Sequence, residues 1–337
     1  MITTINHIGI GVRNIKKMKE LFRKELGFKL ALNDNQYNVW ELEPIFNRKP
    51  KMRIVNCMNP YSGPTIEFFQ HIDTTPAERT AAPEWSDVGI LELGIEVGDI
   101  EGFCNRLTAN GAMMLSSIYD LYTTGGERWK CTYYRNKEGI LMQLVDKHRW
   151  RGKAKALGIS HVGIGVGDLK QQLFFYKEML GFDRVIAEEK DLDVTLSDVM
   201  TVDGRISTVW LGRSRCASVM SSFDGGVVKL ICSESKKHRR VFENRRFGDV
   251  GISEIGMEVD CMRSSFGGLK EGGVKVLVEP TEFDLGLGPR GTLAYIEDPE
   301  GNVIELVELK SLFKLPPIVL DRLFIRPMNL LSKAGLI

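Results

Sequence analysis

The stretch Tyr295-Ile-Glu-Asp-Pro-Glu-Gly-Asn-Val-Ile-Glu-Leu-Val307 contains a turn signal between two short apolar runs. Glu305 lies in the second run, between Ile304 and Leu306. Burying an ionised carboxylate without a cation or several hydrogen-bond donors is costly, so a bound metal would explain a buried Glu305. The alternation of an edge strand would instead place this residue on the wet face of a sheet. The stretch alone leaves both interpretations open.

Internal repeats favour the first interpretation. Residues 5–28 align with residues 159–182, so that His7 falls on His161. Residues 87–97 align in the same way with 249–259, and Glu92 falls on Glu254. Each unit is predicted to be a strand, an amphipathic helix ended by glycine, and further short strands. The chain therefore contains four βαβββ units.

Length and charge limit the classes of function. The 337 residues are enough for two domains, and 45 Lys plus Arg against 44 Asp plus Glu argue against a nucleic-acid surface. Six scattered cysteines indicate free thiols in a reducing cytoplasm. No run approaches the ~18 apolar residues of a membrane span, so a soluble cytoplasmic protein without a membrane partner is expected.

The repeats also suggest domain boundaries. Residues 1–147 form a predicted first domain, with modules at 1–86 and 87–147, and residues 158–308 form a second, with modules at 158–248 and 249–308. A basic linker at 148–157 joins them. The tail at 309–337 is apolar enough that we expect it to pack on a domain or on a partner, and homo-oligomer formation stays open.

The chain resembles the vicinal oxygen chelate superfamily in three features. These are the four units, the opening strand with His, and the closing Asp-Pro-Glu-Gly-Asn-x-Ile-Glu-Leu. The superfamily includes glyoxalase I, methylmalonyl-CoA epimerase, fosfomycin-resistance proteins and extradiol dioxygenases. The resemblance extends from about Ile5 to Glu308. It implies an α+β fold in which modules pair into two cupped, incompletely closed mixed β-barrels. It also implies a divalent metal held by residues of the first and last strands of the modules.

Ligand positions follow from the resemblance, two for each module. They are His7 and Glu67, Glu92 and Gln143, His161 and Lys229, and Glu254 and Glu305. Consecutive pairing, the commoner arrangement, would join His161 to Glu254 and Glu305. Pairing of the first module with the fourth would join His7 and Glu67 to them instead. Because a protonated Lys229 cannot be a ligand, the second pairing gives one full set and one broken set, and it is favoured.

The metal candidates are therefore His7, Glu67, Glu254, Glu305 and His161. Imidazole and carboxylate suit divalent metals with nitrogen and oxygen shells. Because Glu254 replaces one His of the usual iron-oxygenase set, Mn2+, Mg2+, Zn2+ or Co2+ acting as a Lewis acid is favoured.

Three functions remain open. The first is an isomerase or lyase that chelates two vicinal oxygens of a small-molecule substrate through an enediolate or alkoxide intermediate. The second is an extradiol-type dioxygenase that uses Fe2+ on a catechol or hydroquinone. The third is a non-catalytic ligand-binding protein.

Four further residues are candidates for roles around the metal. Tyr295 matches an assisting tyrosine of ring-cleaving enzymes, or packs across strands. His71 shares the strand face of Glu67 and could transfer a proton, or simply cap the strand. Arg290 could clamp a substrate carboxylate or lie on the surface. Trp129 could line an apolar pocket or fill the core.

Overall fold

The computed structural model describes residues 1–312 apart from 47–48, 62–63, 80, 149–154, 191–204, 215–225, 235–238, 244 and 285–288. Beyond residue 312 it describes only 315, 319 and 327. Most of the predicted linker at 148–157 and of the predicted tail at 309–337 lies outside the described residues. The predicted packing of the tail and the predicted domain boundaries therefore stay predictions.

In the part of the chain that the structure describes, the first two modules contain nine strands and their helices. The first has β1 (Ile2–Gly11), α1 (Ile15–Leu26), β2 (Leu30–Asn38), a 3-10 turn (Trp40–Leu42), α2 (Glu43–Phe46), β3 (Lys51–Met58) and β4 (Thr65–His71). The second has β5 (Gly89–Gly98), α3 (Ile100–Ala109), β6 (Met113–Met114), β7 (Tyr119–Tyr122), β8 (Arg128–Arg135) and β9 (Leu141–Asp146).

The last two modules repeat this order. The third has β10 (Lys155–Val166), α4 (Leu169–Leu173) continued by a π-helical turn (Phe174–Met179), β11 (Arg184–Glu189), β12 (Ile206–Gly212) and β13 (Val228–Ser233). The fourth has β14 (Gly251–Val259), α5 (Met262–Glu271), β15 (Lys275–Asp284), β16 (Pro289–Glu297) and β17 (Val303–Leu312). The four βαβββ modules are confirmed, with β6 and β7 of the second module both pairing with β8 in place of a single strand.

Helix α1 shows why the helices form where the sequence predicts them. The Asn14 side chain accepts a hydrogen bond from the Lys17 backbone N–H and caps the first turn. Met18 and Phe22 are buried one turn apart on the face that meets the sheet. Gly27, at φ 70, ends the helix, because the left-handed conformation costs glycine little.

The strands form two open sheets. One sheet has the order β15-β16-β17-β14-β1-β4-β3-β2 and joins the first module to the fourth. The other has the order β11-β12-β13-β10-β5-β9-β8-β6, with β7 beside β8, and joins the third module to the second. The first module therefore pairs with the fourth, which is the pairing favoured by the candidate ligands. The modules do not pair consecutively.

The two faces of each first strand have different surroundings. In β1, Ile8 and Ile10 are fully buried in the main hydrophobic core, which also contains residues of the helices. His7 and Gly9 alternate with them and point into the cup of the sheet. The concave side of each sheet therefore receives the polar residues of the repeat. Among the described residues, no helix is long and apolar enough to cross a membrane.

Candidate metal centre

Four side chains from four strands of the first sheet meet at one point. His7 Nε2 lies 2.9 Å from Glu305 Oε2, 3.3 Å from Glu254 Oε1 and 3.4 Å from Glu67 Oε2. One candidate ligand atom from each residue lies within 4.8 Å of those from the others. The Glu254 side chain is fully buried, whereas that of Glu67 is 12% exposed. The structure thus brings together residues far apart in sequence.

Glycines on the partner strands create the space for this convergence. Gly256 pairs with His7, and Gly9 pairs with Glu254, across the antiparallel β1–β14 ladder. A Cβ atom on Gly256 would lie 2.1 Å from the His7 ring, and one on Gly9 would lie 2.4 Å from Glu254 Cγ. His7 and Glu254 therefore each lean across a glycine of the neighbouring strand, which explains why glycine occupies positions 9 and 256.

The cluster has three carboxylates for one imidazole. Burial, followed by the charges of Glu305 and Glu67, raises the pKa of Glu254 to about 8. Burial likewise raises the pKa of Glu67, with a further contribution from Glu305. Burial alone would lower the pKa of His7, but the surrounding carboxylates outweigh it and raise that pKa well above its usual value. All three shifts favour the protonated form, as expected where carboxylates crowd one another without a bound cation.

A divalent cation fits this donor set. Glu254 Oε2 is buried and has no hydrogen-bond partner among the described residues. Such an orphaned acceptor is costly unless a cation or donor reaches it. One imidazole nitrogen and carboxylate oxygens are common ligands of divalent first-row metals. The buried carboxylates need a cation, and the atoms that could bind one lie at the same place.

Two asparagines orient the ligand candidates. His7 Nδ1 lies 3.0 Å from Asn6 Oδ1, and donation of the Nδ1 proton to this oxygen would leave Nε2 as the ligand atom once a cation replaces the Nε2 proton. The Asn6 amide in turn donates to Glu258 Oε2 at 3.2 Å. Asn56 Nδ2 donates to Glu67 Oε1 at 2.8 Å. These contacts hold the imidazole and one carboxylate in place.

Sequence reasoning missed both asparagines. Asn56 is recognisable only from the β3–β4 register, which places it opposite Glu67. Asn6 did have a signal, because the repeat has Ser160 at the equivalent position beside His161. Ser160 Oγ and His161 Nδ1 are both buried without a partner among the described residues. The Asn-His pair distinguishes the first module from the third.

A cavity of about 200 Å³ opens directly on the cluster. His7, Glu67 and Glu305 contribute to its wall, whereas the fully buried Glu254 does not. Most of the remaining wall is apolar, formed by residues such as Leu32, Leu42, Ile54, Phe69, Phe283 and Leu293. The cavity can therefore place the apolar body of a small molecule against the four polar side chains.

Tyr295 lies in the wall of this cavity, where a tyrosine that assists the reaction would have to lie. It pairs with Glu305 across the β16–β17 ladder, and its hydroxyl donates a hydrogen bond to the Glu305 carboxylate. Burial and then the charges of Glu254 and Glu305 raise the pKa of Tyr295 well above its usual value. The phenol is a neutral donor that orients one of the ligand candidates.

The structure does not bring His71 to the cavity. Its Nε2 atom lies 3.1 Å from the Phe247 carbonyl oxygen, and its ring packs edge-on against Phe46 at 5.5 Å. Strand parity places it on the face of Glu67, but four residues of strand separate them by roughly 13 Å. His71 thus closes the end of β4 rather than facing the cluster.

The two predicted substrate-binding residues also lie apart from the cluster. Trp129 is in the second sheet, where its Nε1 donates to Glu127 at 3.0 Å and its ring meets Trp210. The Arg290 side chain is 62% exposed, and its Nε lies 3.6 Å from Asp284 Oδ2. Because Asp284 lines the cavity, Arg290 lies just outside the rim. Trp129 is a core residue of the other sheet.

The structure likewise separates His161 from the cluster. Strand β10 pairs with β5 and β13, so the His161 side chain meets Glu92 rather than Glu254 or Glu305. The expectation that it joins those two carboxylates depended on consecutive pairing of the modules, which does not occur.

Comparisons with known proteins are consistent with this architecture. Two family models, both described as the Glyoxalase/Bleomycin resistance protein/Dioxygenase superfamily, match residues 6–133 and 158–306. Glyoxalase I from Zea mays is 14% identical with a TM-score of 0.58, over 97% of this chain and 96% of that chain. A putative dioxygenase from Bacillus subtilis is 12% identical with a TM-score of 0.59, over 100% and 97%. At these identities the likeness shows the fold alone. The comparison with curated proteins finds no match.

Proposed function

The chain belongs to the glyoxalase/bleomycin resistance protein/dioxygenase superfamily, and from this premise we propose that it is a divalent-metal-dependent enzyme. His7, Glu67, Glu254 and Glu305 would hold the ion. The observation that supports this most is their convergence around one point with three carboxylates, one imidazole and an orphaned Glu254 oxygen. When bound, the ion would act as a Lewis acid on two neighbouring oxygens of a small organic substrate.

The position of each side chain suggests its part in the reaction. Glu254 is fully buried and does not line the cavity, so it would bind the ion without contacting the substrate. Glu67 is the partly exposed carboxylate in the cavity wall, and its geometry suits it to receive a proton from a bound substrate. Asn56 keeps that carboxylate oriented, and Tyr295 does the same for Glu305.

The cavity favours one class of substrate. Its wall contains His7, Glu67 and Glu305 of the cluster together with apolar residues such as Leu32, Leu42 and Phe283. A molecule with two adjacent oxygens at one end and an apolar body at the other would place both ends against matching surfaces. An isomerase or lyase reaction, which moves a proton beside those oxygens, agrees best with the nearby carboxylate Glu67.

A second candidate is an extradiol-type dioxygenase on a catechol or hydroquinone. Tyr295 and Phe69 in the cavity wall favour it, because an aromatic ring would stack there and a phenol would lie beside its oxygens. The three carboxylates favour the first candidate, because iron oxygenases of this type typically use two His and one carboxylate.

Metal analysis tests the proposal. Protein purified without chelator is expected to contain close to one equivalent of divalent metal, and Glu254→Gln or Glu305→Gln to lose it. Glu297→Gln is the matched control, because this carboxylate belongs to the same sheet but pairs with Lys275 at 2.7 Å, outside the cluster. Retention of the metal by both cluster variants would exclude these ligands. Oxygen uptake with catechols, dependent on Fe2+, would favour the second candidate over the first.

A further inference from the structure

The second sheet repeats the geometry of the candidate metal centre. His161 Nε2 lies 3.3 Å from Glu92 Oε1, the same separation as His7 Nε2 from Glu254 Oε1. A Cβ atom on Gly94 would lie 2.0 Å from the His161 ring, and one on Gly163 would lie 2.1 Å from Glu92 Cγ. The two sheets therefore place an imidazole and a carboxylate in the same way, over glycines of the partner strands.

The other two ligand positions of the first sheet also have equivalents in the second sheet, at the same register but with different residue types. Gly9 pairs with Glu67 in the first sheet, and the equivalent Gly163 pairs with Lys229 in the second. Glu305 likewise corresponds to Gln143, because each pairs with the glycine that faces the histidine of its sheet. The second site thus has an ammonium and an amide where the first has two carboxylates.

The Lys229 ammonium is fully buried and fully hydrogen-bonded. It donates to Glu92 Oε1 at 2.7 Å, to Gln143 Oε1 at 2.9 Å and to the Tyr133 hydroxyl. An ammonium has three protons to donate, and these three acceptors satisfy them. The rings of Trp85 and Trp210, at 5.7 and 5.1 Å from Nζ, add further favourable contact with the cation.

The charge of this site is balanced from within. Burial opposes ionisation of Glu92, but the Lys229 charge and the hydrogen bond from His161 outweigh it and lower the pKa of Glu92. Burial, with the charges of Lys229 and Lys147, lowers the pKa of His161 to about 4 despite the opposing effect of Glu92. The site is therefore one carboxylate, one ammonium and a neutral imidazole.

We propose that the Lys229 ammonium takes the place of a divalent cation in the second sheet, and that this sheet holds a latent metal site built from Glu92, Gln143 and His161. The wild-type chain accordingly binds no metal there. Replacing Lys229 with Glu removes the resident cation and supplies the carboxylate found at the equivalent position of the first sheet. These residues are separate from those of the first site, and the first site need not bind metal for Lys229 to act in this way.

Metal stoichiometry of Lys229→Glu tests this inference. Metal-free protein is titrated with Co2+ and Mn2+, dialysed and analysed for metal and protein. Lys229→Glu is expected to bind one more ion per chain than wild type, and Lys229→Glu/His161→Gln to lose that ion. Lys147→Glu is the matched control, because Lys147 is also a buried lysine paired with a glutamate, Glu96 at 2.9 Å, but is not one of the four positions equivalent to the first site. It is expected to gain no ion.

A second measurement does not depend on the folding of a Lys229 variant. His161→Gln in the otherwise wild-type chain is expected to leave the number of bound ions unchanged, whether that number is zero or one. Loss of an ion in His161→Gln would overturn the inference, as would a folded Lys229→Glu chain that gains none. If instead the first site does not bind metal, the wild-type protein will contain no ion, and the Lys229→Glu variant will still bind one.

Discussion

Replacing Lys229 with Met should strongly destabilise the protein. The change removes the ammonium but keeps most of the side-chain volume, and it leaves Glu92 buried with no exposed surface. Removing one partner of a buried ion pair costs roughly 3–5 kcal/mol. Glu92 keeps two other contacts, His161 Nε2 and Trp85 Nε1, each at 3.3 Å. We therefore expect a loss near the lower end of that range, about 3 kcal/mol at pH 7.

Urea unfolding followed by far-UV circular dichroism measures this loss. The matched control is Lys270→Met, which breaks a 2.6 Å pair with Glu279 whose side chains are 56% and 61% exposed. Exposed pairs contribute less than about 1 kcal/mol, so the control should unfold close to wild type. Lys229→Met/Glu92→Met should regain most of the stability, because neither charge is left unpaired. A loss in Lys229→Met no larger than in the control would refute the proposed role of the ammonium.

Two further predictions concern residues beside the two sites. Asn56→Leu removes the donor to Glu67 and should weaken Mn2+ binding about 10–100-fold in calorimetric titrations while the circular dichroism spectrum stays unchanged; unchanged affinity would argue against an orienting role. Stability should fall as the pH drops from about 6.5 to about 4, because unfolded His161 takes up a proton that the folded protein, with a pKa of about 4, excludes. The free energy of unfolding should fall by about 3 kcal/mol over this window. Urea unfolding between pH 7 and 4 measures it, and a His161→Gln variant that loses as much stability as wild type would contradict the role given to His161.

The fold could be predicted because the sequence repeats its decisive features. His7, Glu92, His161 and Glu254 each open a module at the same place in the first strand, and the glycines beside them recur with them. The chemistry of Lys229, which is unsuitable as a ligand, favours pairing of the first module with the fourth but leaves consecutive pairing open. The sheet order shows that the first module pairs with the fourth.

The contacts around the site could not be predicted in the same way. Strand parity gives the face of a side chain but not its distance from the cluster, so it groups His71 with Glu67 although His71 does not line the cavity. The sequence alone also does not show that Trp129 belongs to the other sheet. Asn56 reaches Glu67 only through the β3–β4 register. A single sequence does not determine that register.

The most direct test of the metal centre is a crystal structure of the protein loaded with Mn2+, with anomalous data collected for manganese. We expect one strong anomalous peak about 2 Å from His7 Nε2 and from oxygens of Glu254 and Glu305, and none beside Lys229. No peak among those three side chains in crystals that contain the metal, or a peak only elsewhere, would contradict the assignment of this cluster as a metal site.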